Sequence, residues 1–323
     1  MALSTPESAT RLGGGLRPPS DASPQTGSRG QSPRSEEAEH LSTAPSSLWR
    51  DGWRRLKRNK LAMAGGMMVL IILLIAIFAD VLAPYSYTKT NFARLNEAPS
   101  RAYPFGTDQI GRDQLSRMIY GARVSMLVGL GAQVIVVLIG VPIGALSGFI
   151  GGRTDLFLTR FIDVMYAFPS LLFVILVMSM LGAGLVNIFI AIGITGWVGI
   201  ARQTRAQVLG LKQKEFVEGA RALGAGFTRV LVRHVLPNAL TPIVIAVTFG
   251  IPQAIFTEAA LSFIGVGINP PTPSWGQMVG EGQQYLRSYW HLCVVPSIAI
   301  AITMLSFTFL GDGVRDALDP KLK

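Results

Sequence analysis

The sequence predicts an all-α polytopic membrane protein with six transmembrane helices and both termini in the cytoplasm. Three observations lead there. Half of the 323 residues are hydrophobic while only 15% are charged, and the mean hydropathy is +0.42, a composition foreign to water-soluble domains. Apolar runs recur at lengths able to cross a hydrocarbon core of about 30 Å at about 1.5 Å per helical residue. Lys and Arg gather beside particular span ends, as expected of short loops retained on the cytoplasmic side.

Residues 1–48 are rich in Ser, Pro and Gly with few apolar residues, so they read as a disordered cytoplasmic tail that cannot bury enough surface to fold. The tail lacks the short apolar core and cleavage site of a signal peptide, so the first span is expected to stay as an anchor. Residues 49–60 form a juxtamembrane segment whose density of Arg and Lys places the N-terminus inside. From 61 to 323 the chain reads as one transmembrane domain, with spans at 61–82, 125–149, 161–181, 185–200, 240–264 and 291–310. The fourth is short and looks broken by Gly193, Gly196 and Gly199. An extracytoplasmic loop takes up 83–124, where length overrides its several Arg residues. A cytoplasmic loop covers 201–237 and carries Arg205, Lys212, Lys214, Arg221 and Arg229.

The net charge of +10 sits next to the spans, which points to anionic membrane lipid rather than nucleic acid as its partner. Cys293 is the sole cysteine and the histidines are His40, His234 and His291, which excludes an intrachain disulfide and leaves no metal-ligand spacing. Gly140, Gly144 and Gly148 repeat every fourth residue of the second span, a strip against which a second helix backbone can lie closely. Pro142, Pro242 and Pro252 each remove a helical hydrogen bond within spans. Asp80, Asp163 and Glu258 fall near span ends, where interfacial snorkelling or capping accounts for them without an ion path.

The loop before the fifth span contains a polar insert. Phe216, Ala220 and Leu223 fall at helical spacing as one apolar stripe, with Glu215, Glu218 and Arg221 directed elsewhere. Gly224-Ala225-Gly226 should stop this helix through a left-handed glycine. Thr228 is expected to cap a second short helix ending at Pro237. Small residues at Gly219, Ala220 and Ala222 permit close approach of a partner, and periodicity alone equally allows a helix resting on lipid. In the outer loop, Arg112, Asp113, Arg117 and Arg123 alternate with Leu115, Met118 and Ile119, as in an amphipathic helix lying on the outer membrane surface. The turns at Gly106, Thr107, Asp108 and Gly111 read as architecture.

Several motifs resemble one family. Glu218-Gly219-Ala220, then Gly224, then Leu236-Pro237 is similar to the signature loop of importer-type ABC permeases. Asn59-Lys60-Leu61-Ala62-Met63, Phe105-Gly106-Thr107-Asp108, Gly111-Arg112-Asp113 and Gly151-Gly152-Arg153-Thr154-Asp155 look like the oligopeptide and dipeptide (nickel) group. So do the run from Phe256 to Phe263, Ser274-Trp275-Gly276 and the run from Gly311 to Pro320. The C-type subunit is the nearest match, and within it the oligopeptide branch. Two departures are Gly219, where the family usually has Ala, and Thr308, where relatives commonly carry Asn.

The resemblance implies a type I importer permease fold in the bacterial inner membrane, with no cofactor in this chain and ATP and Mg on partner ATPases. It implies a coupling loop of Glu215, Glu218, Gly219, Ala220, Arg221, Ala222, Leu223, Gly224 and Pro237. It further implies a homologous B-type permease, two cytoplasmic ATP-binding subunits and an extracytoplasmic peptide-binding protein as partners. The cargo would be peptides, oligopeptides before dipeptides or a nickel chelate. No Gly-x-x-x-x-Gly-Lys-Ser/Thr run occurs in the chain, so nucleotide must bind elsewhere. An ion-coupled transporter would need paired intramembrane charges or broken half-helices, and a non-transporting scaffold would use the loop only for docking. No substrate-binding residue stands out among generic apolar spans.

Overall fold

The computed structural model describes residues 48–318, and within them the backbone is helix and turn apart from one bridge between Thr107 and Asp113. The tail read as disordered lies outside the described residues, except that Leu48 opens the first helix. Helix α1 (Leu48–Arg58) leads into α2 (Lys60–Ile77). Asn59 separates them and caps α2, its Oδ1 accepting the Ala62 N–H at 3.1 Å, which meets one of the unpaired donors at the helix start. A short α3 (Ala79–Leu82) follows after a break at Phe78.

Helix α4 (Gln114–Ile150) has 37 residues, about 55 Å at 1.5 Å per residue, and so outreaches the hydrocarbon core. Its first turns occupy the stretch expected to lie flat on the outer surface. That expectation is corrected: the amphipathic segment is the projecting start of the second span, because Asp113 caps it and Arg117 and Met118 are buried. The third span is also corrected from one helix to two. Helices α5 (Gly152–Ala167) and α6 (Ser170–Leu181) meet at 88°. Pro169 offers no N–H and forces Phe168 into an extended conformation, ψ 132°, so the helix cannot pass.

Helix α7 (Leu185–Leu211) runs unbroken through Gly193, Gly196 and Gly199, against the expectation of a glycine-broken span ending at Ile200. In an apolar medium the backbone has no water with which to replace a lost helical bond. The glycine at 193 serves packing, since a Cβ there would lie 2.6 Å from the Ile135 Cβ. After the short α8 (Glu215–Ala222), α9 (Phe227–Phe263) runs 37 residues and contains a π-helical turn at Leu231–Val235. That wider turn carries the helix past Pro237, so the second short helix expected to end there is instead the base of the fifth span. Helices α10 (Trp275–Gly282) and α11 (His291–Leu318) complete the described chain. Among the described residues five helices are long and apolar enough to span a membrane, and six spans result when the bent pair α5–α6 counts as one.

The glycine strip of α4 packs as its spacing predicts. A Cβ at Gly140, Gly144 or Gly148 would stand 2.7, 2.2 or 2.8 Å from the carbonyl oxygens of Trp197, Ala201 and Arg205 in α7. The partners too recur every fourth residue, so one backbone lies along the other. Around this pair, Val128, Ala132, Met178, Ile188, Ala254 and Leu261 form a core joining α4, α6, α7 and α9. A second core brings Ile72, Met126, Ile255, Trp275 and Phe307 together, with the Trp275 indole N–H donating to the Met118 carbonyl at 3.0 Å.

Candidate functional site

At one end of the bundle α8 lies across the ends of α4, α7 and α9. Val217, fully buried, packs with Phe149, Val208, Val230, Leu231 and Val235, and Ala220 joins them half-buried. The expected stripe is therefore corrected. Only Ala220 of its three members turns inward, whereas Phe216 is 43% and Leu223 91% exposed. Val217 was missed because Val217 and Phe216 both sit within one helical turn of Ala220, and periodicity over eight residues fixes the inward direction poorly. The outward face carries Glu215, Phe216, Glu218, Gly219, Arg221, Ala222 and Leu223, and Gly224 and Pro237 are also exposed.

Gly224 has φ 81°. Its N–H reaches the Arg221 carbonyl at 2.9 Å and the Ala225 N–H reaches that of Ala220 at 3.0 Å, a Schellman closure that needs the left-handed residue. Thr228 makes no cap: α9 starts at Phe227 after Gly226 and Thr228 is exposed. The Arg221 guanidinium lies 5.2 Å from the Phe149 ring centre, and Phe149 meets Phe227 edge-on. Behind α8 the bundle is braced. Arg205 of α7 pairs with Asp155 of α5 through two bonds of 2.6 and 2.7 Å, Ser147 of α4 donates to the same carboxylate, and Lys212 donates to the Gly148 carbonyl at 3.0 Å. Two parallel guanidinium–carboxylate bonds fix direction as well as distance, so α8 rests on a stiff base.

The opposite end holds the other sequence motif. Gly106 and Gly111 have φ 76° and 77°, and a Cβ on either would meet the backbone of Glu97 or Asn91. These turns bring Asp108 under the N–H groups of Ile110 and Arg112 at 3.0 and 2.8 Å. Its carboxylate also takes the Arg112 Nε and, at 2.7 Å, the Arg117 guanidinium. Glu281 from α10 closes the quartet, 2.9 Å from Arg117 and 3.3 Å from Arg112. Thr107 accepts the Glu97 N–H at 2.9 Å and donates to the Arg94 carbonyl. Asp113 caps α4, accepting both the N–H and the hydroxyl of Ser116. Arg112 and Arg117 thus face a buried ion cluster rather than a membrane surface. Glu281 was missed, since nothing local links it to partners so far away in the chain.

Of the three acidic residues expected near interfaces, Asp80 pairs with Arg123 at 2.8 Å and Asp163 with Arg202 at 2.6 Å, all at exposed or half-exposed positions. Glu258 departs from the expectation. It is fully buried, and its Oε1 accepts the Ser262 hydroxyl at 2.8 Å, because a carboxyl in the middle of packed helices has no route to the surface.

A bundle of apolar spans, stiffened at both ends and presenting an exposed helix at one of them, defines a multi-pass membrane protein. The chain belongs to the family described as binding-protein-dependent transport system inner membrane component, whose model matches residues 140–323. Residues 47–99 match the N-terminal transmembrane domain of oligopeptide transport permease C. The chain is 46% identical over 288 residues to the oligopeptide transport system permease protein OppC of Bacillus subtilis, covering 89% of this chain and 94% of that one. It is 43% identical to the dipeptide transport system permease protein DppC of the same organism, covering 90% and 91%. Against the glutathione transport system permease protein GsiD of Pectobacterium atrosepticum it is 41% identical, covering 85% and 92%. A solved inward-facing form of the MetNI methionine ABC transporter shares the fold, with TM-score 0.50 and 18% identity over 64% of this chain and 97% of that one. The protein is accordingly a multi-pass permease component of the inner membrane.

Proposed function

We propose that this chain is one of two permease subunits of an ATP-driven importer that carries peptides, oligopeptides foremost, into the cytoplasm. The observation that carries the reading is the face of α8: an amphipathic helix anchored by Val217 whose other apolar side chains, Phe216 and Leu223, project away from the bundle. Exposed large apolar residues rimmed by charge mark a protein or membrane contact, and this reading takes the protein. In this reading α8 and both termini lie in the cytoplasm, and α8 docks on one of two ATP-binding subunits that hold the ATP and Mg. Glu215 and Glu218 in its first turn suit the positive end of the helix dipole and a basic groove on the ATPase. A B-type permease supplies the second half of the pathway, and a peptide-binding protein delivers cargo to the end that carries the Asp108 quartet. The named cargoes of the three relatives, oligopeptide, dipeptide and glutathione, share the peptide bond.

The geometry explains how force would travel. Helix α8 sits between α7 and α9 in the chain and is packed on α4, so closure of the ATPases moves three spans together. Nucleotide then biases a two-state equilibrium between inward-open and outward-open forms by its differential affinity for them. The test is uptake of a labelled peptide by proteoliposomes holding all partner subunits. Uptake should require ATP and the binding protein. Uptake without ATP that follows an ion gradient would overturn the reading, and so would ATP-dependent uptake of other solutes but no peptide.

A further inference from the structure

Helices α4, α6, α7 and α9 line a half-open cavity of about 430 Å³ with Gln253 on its exposed side, within the roughly 300–1,000 Å³ that small-ligand sites occupy. None of its lining residues is charged, yet three glutamines from three different helices converge on it: Gln133 of α4, Gln203 of α7 and Gln253 of α9. Thr195, Thr257 and Ser170 add hydroxyls. Primary amides are poorly placed against lipid, which offers them nothing to bond. One such amide is ordinary helix packing, whereas three aimed from separate helices at one space call for a polar occupant.

Their bonding capacity is open. Gln203 donates one N–H to the Pro242 carbonyl at 2.9 Å and retains the rest. The side-chain amides of Gln133 and Gln253 have no hydrogen-bond partner among the described residues. Gln133 is nonetheless 92% buried, being 8% exposed. The amide lies against the α9 backbone: at Gly250 a Cβ would lie 2.4 Å from the Gln133 Oε1, so glycine there leaves the amide its room. Gly199, on the facing wall, has nothing within 4 Å of where its Cβ would stand.

From this geometry we infer that the cavity is a binding site for peptide backbone within the translocation pathway, with Gln133 and Gln253 as its recognition groups. A primary amide offers both donors and an acceptor, matching the N–H and C=O that every peptide unit presents whatever its side chain. The absence of lining charge means that no counter-ion selects cargo by side-chain charge. Its walls include α7 and α9, the two helices joined by α8, so displacement of α8 changes the spacing of Gln203 and Gln253 across the cavity. The inference rests on the peptide-import reading and adds to it the place where the chain itself touches cargo.

The experiment uses the complete transporter in proteoliposomes with a labelled peptide. Gln133→Leu combined with Gln253→Leu removes the amides at nearly constant volume. Peptide uptake per ATP hydrolysed should fall about tenfold, as expected for two lost neutral hydrogen bonds, while ATPase stimulation by the loaded binding protein holds. In parallel, Gly199→Cys in a Cys293→Ser background should be modified by a small thiol reagent, and peptide present during turnover should slow that modification. If the unaltered transporter imports no peptide, the functional reading falls and the site with it. If it imports peptide while the double variant does so at the normal rate and peptide gives no protection at position 199, the site is refuted and the function stands. Should the double variant fail to assemble, protection at position 199 decides alone.

Discussion

Replacing Gly144 by Ala should loosen the α4–α7 pair, and the size of the effect follows from the geometry. The added Cβ would lie 2.2 Å from the Ala201 carbonyl oxygen and 2.9 Å from the Thr204 Cβ. Ala201 O belongs to helix backbone and cannot rotate aside as a side chain does, so the two helices must part by about 1 Å, a gap that forfeits a quarter to a half of each dispersion contact it opens. Overpacking of this kind costs about 1–3 kcal/mol. Gly140 and Gly148, at 2.7 and 2.8 Å from their carbonyls, should respond more weakly and alike. Gly219 provides the counterpart: nothing lies within 4 Å of its Cβ position, so Gly219→Ala should stabilise α8 by about 0.5–1 kcal/mol through lower backbone entropy in the unfolded chain. The assay is thermal unfolding of the purified transporter in lipid nanodiscs. A Gly144→Ala variant that unfolds at the wild-type temperature would refute the close-packed strip.

Three further outcomes are expected. Asp108→Asn leaves two buried guanidiniums short of a carboxylate and should cost about 3–5 kcal/mol, while Asp163→Asn breaks an exposed pair worth about 1 kcal/mol or less; equal losses in the same unfolding assay would show that the quartet is not a buried cluster. Glu218→Lys reverses an outward charge, and Gly224→Pro forbids the φ of 81°; both should insert and assemble yet abolish uptake, and normal uptake by both removes α8 from coupling. Glu258→Gln keeps an oxygen for the Ser262 hydroxyl while removing a carboxyl that has no cationic partner among the described residues. This variant should unfold no earlier than wild type, and a clear drop in unfolding temperature would reveal a cation that the carboxyl serves.

Much of the architecture was legible because its causes are local. Apolar runs announced the spans, four-residue glycine spacing announced a close-packed face on α4, and Gly224 announced the end of α8, each through the preference of a short stretch for one medium or one backbone angle. The errors share a different origin. Pro169 lies inside the apolar run expected to form one span, and hydropathy does not register a missing N–H. Gly193 and Gly196 of α7 mimic a break in the sequence because the residues they pack against, Ile135 and Val136, lie on another helix. Thr228 is a residue type that suits an N-cap, yet the helix begins one residue ahead of it at Phe227, with Gly226 in the cap position.

What the sequence by itself determined was the medium and the list of segments: which stretches belong in a bilayer, where polar ones interrupt them, and which glycines bend or narrow the chain. Only the tertiary structure decided which faces meet. It turned Val217 inward and Leu223 outward, brought Glu281 to Arg117 across 164 residues, buried Glu258, and gathered Gln133, Gln203 and Gln253 around one space. The physical reason is that hydration and backbone strain are properties of a residue and its near neighbours, whereas burial and pairing depend on surfaces supplied by helices distant in the chain.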